Sequence, residues 1–418
     1  MDHKVRQLKL ACYTGNATMS VVASLSPVLF ITFRSLYGFS YSLLGLLVLI
    51  NFVTQLTVDL IFSFFSHRFN IPRTLRIMPI LAVLGFFFYG LSPWLFPQHT
   101  YAGLVIGTVL FCASSGLAEV LLSPVIAAIP AEDPDREMSK LHSVYAWGTV
   151  GVILVSTLFL LVFDHENWPF LAFFFLLIPL VSAILFAGAP IPKMETPEKV
   201  SGALSFFKNK WLYISVLAIF LGGAAECSMA QWSSSYLEQA LGIPKVWGDV
   251  FGVALFSVTL GLGRTLYAKF GKNLGKMITL GAVGATICYL ICAVSPWSAA
   301  GLIACALTGF CTSMLWPGNL VLATDRFPTG GVFIFAMMAA GGDLGASVAP
   351  QLIGIITDTA IATPGIVNLA AQLNLAPEQL GMKLGMLLAM LFPLTAIPLY
   401  RHIWKKQSLP LGEGGRTK

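Results

Sequence analysis

The sequence predicts an all-α polytopic membrane protein with twelve transmembrane helices in two pseudo-symmetric six-helix halves. Three observations carry this expectation. Of 418 residues, 56% are hydrophobic and 11% charged, and the mean hydropathy is +0.80. A soluble domain carries about 25% charged residues, so a chain this poor in charge must meet lipid over most of its outer face. Apolar runs of about 20 residues, the length that crosses the hydrocarbon layer, recur along the whole chain. They are too long for barrel strands and do not alternate as those do. Finally, basic residues gather between alternate runs, the pattern that sets topology in a membrane.

The runs follow in order. The first, 11–34, comes after Lys4, Arg6 and Lys9 and reads as an ordinary spanning helix without a cleavable leader. Asn16-Ala17-Thr18 matches a glycosylation pattern but falls inside this run. Runs 42–66 and 75–95 are joined by a loop with Arg68, Arg73 and Arg76. Runs 102–129 and 141–163 flank Arg136 and Lys140, and 168–190 ends the first set. The linker 191–210, with Lys193, Lys199, Lys208 and Lys210, separates the half 1–190 from the half 211–403. Its "LSFFKN" piece could lie on the membrane surface as an amphipathic helix. Runs 211–238, 247–268, 276–297, 299–324, 331–358 and 381–403 follow, and then a tail, 404–418. Lys269, Lys272, Lys276, Arg326, Arg401, Lys405, Lys406, Arg416 and Lys418 fall on the side of the linker. Only Arg34, Lys245 and Lys383 fall opposite, which predicts cytoplasmic termini in a multi-pass plasma membrane, the inner membrane of a bacterium.

The net charge of +6 is thus a topology signal, and the scatter of basic residues over short loops gives a nucleic-acid partner no support. Trp94, Trp168, Trp247 and Trp297 sit at outer run ends, and Trp211 and Trp404 at inner ones, as interfacial belts require. All seven cysteines lie within runs, so neither a disulfide framework nor a metal cluster is expected.

The two halves echo each other. The fourth run has Gly116 and Pro124 eight residues apart, then Glu132 and Asp133; the tenth has Gly309 and Pro317 at the same spacing, then Asp325 and Arg326. "SHRFN" (66–70) matches "YAKFGKN" (267–273) at the inner ends of runs two and eight. Such matches predict halves related by an axis along the membrane normal, a midplane site between them, and rocking that alternates access.

A helix that lines such a site shows polar residues at i, i+3, i+4 and i+7. The first run offers Asn16, Ser20 and Ser24; the fourth Cys112, Ser115, Gly116, Glu119 and Ser123. The seventh offers Gly222, Glu226, Ala230 and Ser233; the tenth Thr308, Gly309, Thr312, Trp316 and Asn319. Small residues at this spacing also serve close helix packing. Carboxylates do not, and Asp59, Glu119, Glu226 and Asp343 all lie well inside runs. A charge at mid-bilayer costs several kcal/mol, so each should face the interior, paired or protonated. The sequence places no mid-span Lys or Arg to neutralise Glu119 or Glu226, so both are expected to carry protons during part of a transport cycle. Asp59 is expected to pair with a basic gate residue or a helix N-terminus, and Asp343 to face its region across the halves. Arg68 and Arg264 are expected gate cations.

Against these residues the chain resembles the major facilitator superfamily. "KLHSVYAWGTVG" (140–151) is similar to its signature opening helix 5, and "GGAAECSMAQWSSSYL" (222–237) to a helix-7 Gly-x-Glu…Trp…Tyr-Leu pattern. "LGLGRTLYAKFGK" (260–272) carries the Gly-Arg of helix 8. Together these resemble the fucose/glucose:proton symporter branch. The resemblance implies proton-coupled transport of a small solute, often a hexose. It places the branch's helix-4 carboxylate on Glu119 and its helix-7 Glu and Trp on Glu226 and Trp232. The chain departs from the pattern in three places, one of them "RTLYAKFGK" (264–272) of the second half, which has Ala268 at the Asp position. "SVVASLSPVLF" (20–30) lacks the helix-1 Asp of some members, and "SFFSHRFNIPR" (63–73) has Ser63, His67 and Asn70 where the superfamily loop has Gly, Asp and Gly.

Sugars are held by amide and carboxylate hydrogen bonds beneath aromatic rings. Trp147, Trp232 and Trp316, whose indole N–H groups need partners when buried, are therefore expected to line the solute site, with Asn51, Gln55, His142, Gln231, Thr312 and Asn319. Trp232 points away from Glu226 on an ideal helix, and Gly222-Gly223 would allow a bend. The reading is a monomeric secondary transporter, not an enzyme, that needs no cofactor or metal and uses the proton gradient for symport of a sugar-like neutral solute. A proton-driven efflux antiporter for amphiphilic compounds and a non-transporting membrane receptor are the alternatives. No nucleophile–base group, phosphate loop or metal spacing suggests catalysis.

Overall fold

Pro27 and Pro317 each fall inside a long apolar run, where a missing N–H and a bulky ring disrupt the helix. The computed structural model, which describes residues 3–65, 68–129, 134–192, 203–270, 273–327 and 331–407, breaks at both places. Helix α1 (His3–Val28) turns by 46° into α2 (Phe30–Tyr37), and α12 (Ser298–Thr312) gives way to α13 (Leu315–Arg326). The first half continues with α3 (Tyr41–Phe65), α4 (Ile71–Leu95), α5 (Thr100–Ala127), α6 (Pro134–Phe163) and α7 (Trp168–Gly188). The second contains α8 (Lys210–Leu241), then the single turn α9 (Lys245–Trp247), which passes through a π-helical turn (Gly248–Ala254) into α10 (Leu255–Phe270). It is completed by α11 (Leu274–Val294), α12, α13, α14 (Gly331–Ala362), the short α15 (Pro364–Gln372) and α16 (Pro377–Gln407). Among the described residues eleven helices are long and apolar enough to cross a membrane, and the bent α1–α2 pair makes a twelfth.

The expected repeat shows in the packing. A Cβ on Gly116 would press on the Gln55 carbonyl and Asp59 of α3, and one on Gly309 would collide with the Phe256 carbonyl of α10. Small residues thus bring the fourth helix of each half against the second, backbone to backbone. α8 runs unbroken through Gly222-Gly223, so the bend allowed there does not occur. Each glycine instead packs against a neighbour, Leu315 and Tyr400 in one case and Trp316 and Gly342 in the other.

The halves meet mainly along α3 and α14, with further contacts of α6 to the π turn and α10 and of α1 to α8. The termini of α1 and α16 lie at one end of the bundle, here the terminal end; the opposite end is the far end. Phe30 and Trp232 come within 5.2 Å, and Tyr41 and Trp232 within 6.0 Å, between ring centroids. All three side chains are fully buried, so this aromatic layer, with members from both halves, seals the far side of the interface. Below it, Glu119 and Arg264 remain accessible. Among the described residues the cleft between the halves therefore opens at the terminal end.

Candidate functional site

The cleft carries two groups of charges. In the first, Glu119 of α5 lies within electrostatic reach of Asp59 on α3, Asp343 on α14 and Tyr145 on α6. Asp59 and Asp343 are buried, each with one oxygen unpartnered. Among the described residues no hydrogen bond or ion pair reaches any of the three carboxylates. The described residues include no basic partner or helix N-terminus of the kind expected for Asp59; Asp343 does face Asp59's region across the halves. Beside Asp59, Gln55 donates to Asn51 Oδ1 (2.5 Å) and accepts from Ser115 Oγ (2.9 Å). This polar ladder runs along α3 and ties it to α5.

The second group corrects the sequence reading. Arg264 Nη2 donates to Glu226 Oε1 at 3.2 Å, so Glu226 has a mid-span counter-charge. The guanidinium Nε also donates to the Ser313 carbonyl at 3.1 Å. That carbonyl is free because its intrahelical donor, four residues on, would be the absent N–H of Pro317. The broken helix thus anchors Arg264 beside Glu226 rather than at a gate on the terminal surface. Glu226 Oε2 stays unpartnered, and the Arg264 side chain is 44% accessible.

The other expected site residues divide by what they touch. Trp147, 72% exposed, shares one helical stripe with the exposed Leu154, Leu158 and Leu161. It faces outward with the lipid-contacting side chains, not into the cleft, a second correction. Trp232 donates its indole N–H to the Pro350 carbonyl at 2.9 Å within the far-end seal. Trp316 wedges between α8 and α14 against Gly223 and Gly342. Asn319 gives its amide hydrogens to the Ala218 and Leu315 carbonyls and Tyr400 Oη, and Thr312 bonds back to Thr308. Both are therefore engaged inside the second half and offer nothing to a solute in this conformation. Gln231 approaches the Ala23 carbonyl, which Pro27 leaves free, at 3.5 Å across the halves. Asn16 and Ser20 bond the Leu141 and Tyr145 carbonyls and so fasten α1 to α6. The helix-1 stripe is an interhelical fastening. Arg68 is exposed, 5.5 Å from the Phe65 ring centroid. The side chain of His142 and all of His67 lie outside the described residues.

Sequence reasoning missed Tyr145, which lies within electrostatic reach of Glu119, Glu226 and Arg264 and so stands between the two charge groups. Its place three residues after His142 in the helix-5 motif was the available signal. Among the described residues no group of three or more His, Cys, Asp or Glu is arranged to hold a metal ion.

Comparison with known proteins agrees with this architecture. The family model described as Major Facilitator Superfamily matches residues 11–350. No curated protein matches. Among solved structures, the D-xylose-proton symporter superposes with a TM-score of 0.69 at 15% identity, over 95% of this chain and 99% of that one. A bacterial homolog of the human lysosomal transporter Spinster, inward-facing and unoccupied, gives 0.70 at 14% identity, over 98% and 99%. The fucose:proton symporter FucP of E. coli, a point mutant, gives 0.56 at 15% identity, over 94% and 99%. At these identities the likeness is one of fold.

Proposed function

The chain belongs to the Major Facilitator Superfamily, and from that premise we propose that it is a proton-coupled symporter of a sugar-like neutral solute, with Glu119 as the principal proton carrier. One observation carries the reading: Asp59, Glu119 and Asp343 share the cleft, come from both halves and have no counter-charge among the described residues. Carboxylates so placed must be neutralised by bound protons or another cation, since lone charges are costly there. Glu119 is the accessible one of the three and can exchange protons with the open cleft. Glu226, already neutralised by Arg264, serves as a second acid that exchanges its partner during the cycle. The acids outnumber Arg264, which disfavours an anionic solute. Asn51, Gln55 and Ser115 are bonded within the ladder in this conformation, and their amide and hydroxyl groups are of the kind that bind sugar hydroxyls once those bonds are exchanged for a solute. The sugar assignment draws on the motif resemblance and on two similar folds whose names describe sugar–proton symport.

With both termini in the cytoplasm of a bacterial cell, the conformation open at the terminal end is the inward-facing one. The transporter acts as a monomer in this scheme, and the proton gradient takes the place of any cofactor. A second reading, export of amphiphilic cations, is favoured by the same uncompensated acids, which a cationic solute would neutralise directly.

The test begins with a thermal-shift screen of sugars, sugar acids, peptides and lipophilic cations. It continues in proteoliposomes that contain a pH-sensitive dye. A neutral sugar should stabilise both the wild type and Glu119→Gln. It should acidify only the wild-type lumen, with proton uptake at least about tenfold lower in the variant. Unchanged proton uptake in Glu119→Gln, or stabilisation by lipophilic cations alone, would contradict the proposal.

A further inference from the structure

Two carboxylates of the second half reach across to donors of the first half at the far end. Asp358, near the end of α14, accepts the backbone N–H of Tyr41 at 3.0 Å through one oxygen and that of Ser42 at 2.6 Å through the other. These N–H groups belong to the first turn of α3 and have no acceptor within their own helix. An anion there also meets the positive end of the helix dipole. A helix of one half is therefore capped by an acid of the other. Gln351, about two turns back along α14, adds a bond from its amide to the Ser42 carbonyl at 3.2 Å.

On the other flank Asp249 sits fully buried in the π turn between α9 and α10. Thr157 of α6, in the first half, donates to its Oδ2 at 2.8 Å. The acid's remaining partners come from its own half: Lys245, at 2.9 and 3.1 Å, and Ser234. Asp249 thus stays neutralised and bonded whether or not Thr157 is present. A cavity of about 190 Å³, lined among others by Asp164, His165 and Lys245, adjoins the pair and offers water to both groups when they part.

We infer that Asp249 and Asp358 are the gating acids of the far end, which hold the halves together there and release Thr157 and the α3 N-terminus when the cleft opens to that side. A bond to a charged acceptor shifts a two-state equilibrium by about tenfold or more, enough to bias it without locking it. None of the released groups is left buried without a partner, because each regains water or keeps bonds within its own half. The inference rests on the rocking of two halves and not on the identity of the coupling ion or solute.

The experiment places spin labels at Gln98→Cys and Gln372→Cys, exposed positions on far-end connections of opposite halves. Native cysteines are replaced in the parent, and inter-label distances are measured by pulsed electron resonance in lipid. Thr157→Val is nearly isosteric and leaves the Asp249–Lys245 pair intact, and Asp358→Ala removes the cap. Each should raise the ratio of long to short distances by about tenfold or more. The double variant should show a clear second, longer peak. A distribution unchanged from the parent in a double variant that still melts cooperatively would overturn the inference. So would an unchanged distribution in Thr157→Val together with Asp358→Ala as single changes, should the double variant not fold. The distances require no substrate, so a failure of the symport reading leaves this test intact.

Discussion

Arg264 shows how a single side chain alters the chemistry of the cleft. The sequence marks Glu226 as an acid without a partner, yet Arg264 is bonded both to it and to the Ser313 carbonyl. The open carbonyl was legible, since Pro317 follows Ser313 by four residues. The register of α10 against α8 was not, because nothing in a linear pattern fixes which turns of two helices lie level. Trp147 is the reverse case: its shared stripe with Leu154 and Leu158 is countable at 100° per residue, and that periodicity outweighs the indole N–H in setting where the ring points. The pair supports a prediction. Arg264→Gln leaves Glu226 as an uncompensated charge in a low-dielectric site, so the melting temperature should fall by a few degrees and coupled uptake should be lost. Glu226→Gln added to it should recover the melting temperature. A single variant as stable as the double would show that the pair does not neutralise the acid.

At the scale of elements, the spans and their repeat were readable because close packing leaves a local trace. Gly116 and Gly309, each eight residues before a proline, mark where the fourth helix of each half lies on the second. The far-end contacts left no such trace: Asp358 caps a helix more than 300 residues away, and an acid near a span end looks like any solvated residue. The glycine pair gives a direct contrast. Gly309→Val would drive a side chain into the Phe256 carbonyl and Thr259, so the variant should express poorly and run polydisperse in detergent. Gly261→Ala, on the same helix as Phe256 but with no atom within 4 Å of the new methyl, should behave as wild type or melt slightly higher. Equal behaviour of the two variants would remove close helix approach as the reason for Gly309.

At the scale of the whole molecule, composition sufficed for the membrane-spanning class, and internal echoes for the two-half plan. The conformation was beyond reach, since the same sequence must pack with the cleft open to either side. In this structure the aromatic layer of Phe30, Tyr41 and Trp232 closes one side, while unpaired carboxylates from both halves face the other. Work is extracted from a proton gradient only if those acids bind protons when the cleft faces one side and release them when it faces the other. The most direct test is concentrative uptake of the stabilising solute into proteoliposomes under an imposed inward proton gradient. Proton-coupled symport through Glu119 should give accumulation above the external concentration in wild type, collapse to simple equilibration when a protonophore is added, and equilibration only in Glu119→Gln. Accumulation that ignores the gradient, or that survives intact in Glu119→Gln, would contradict it.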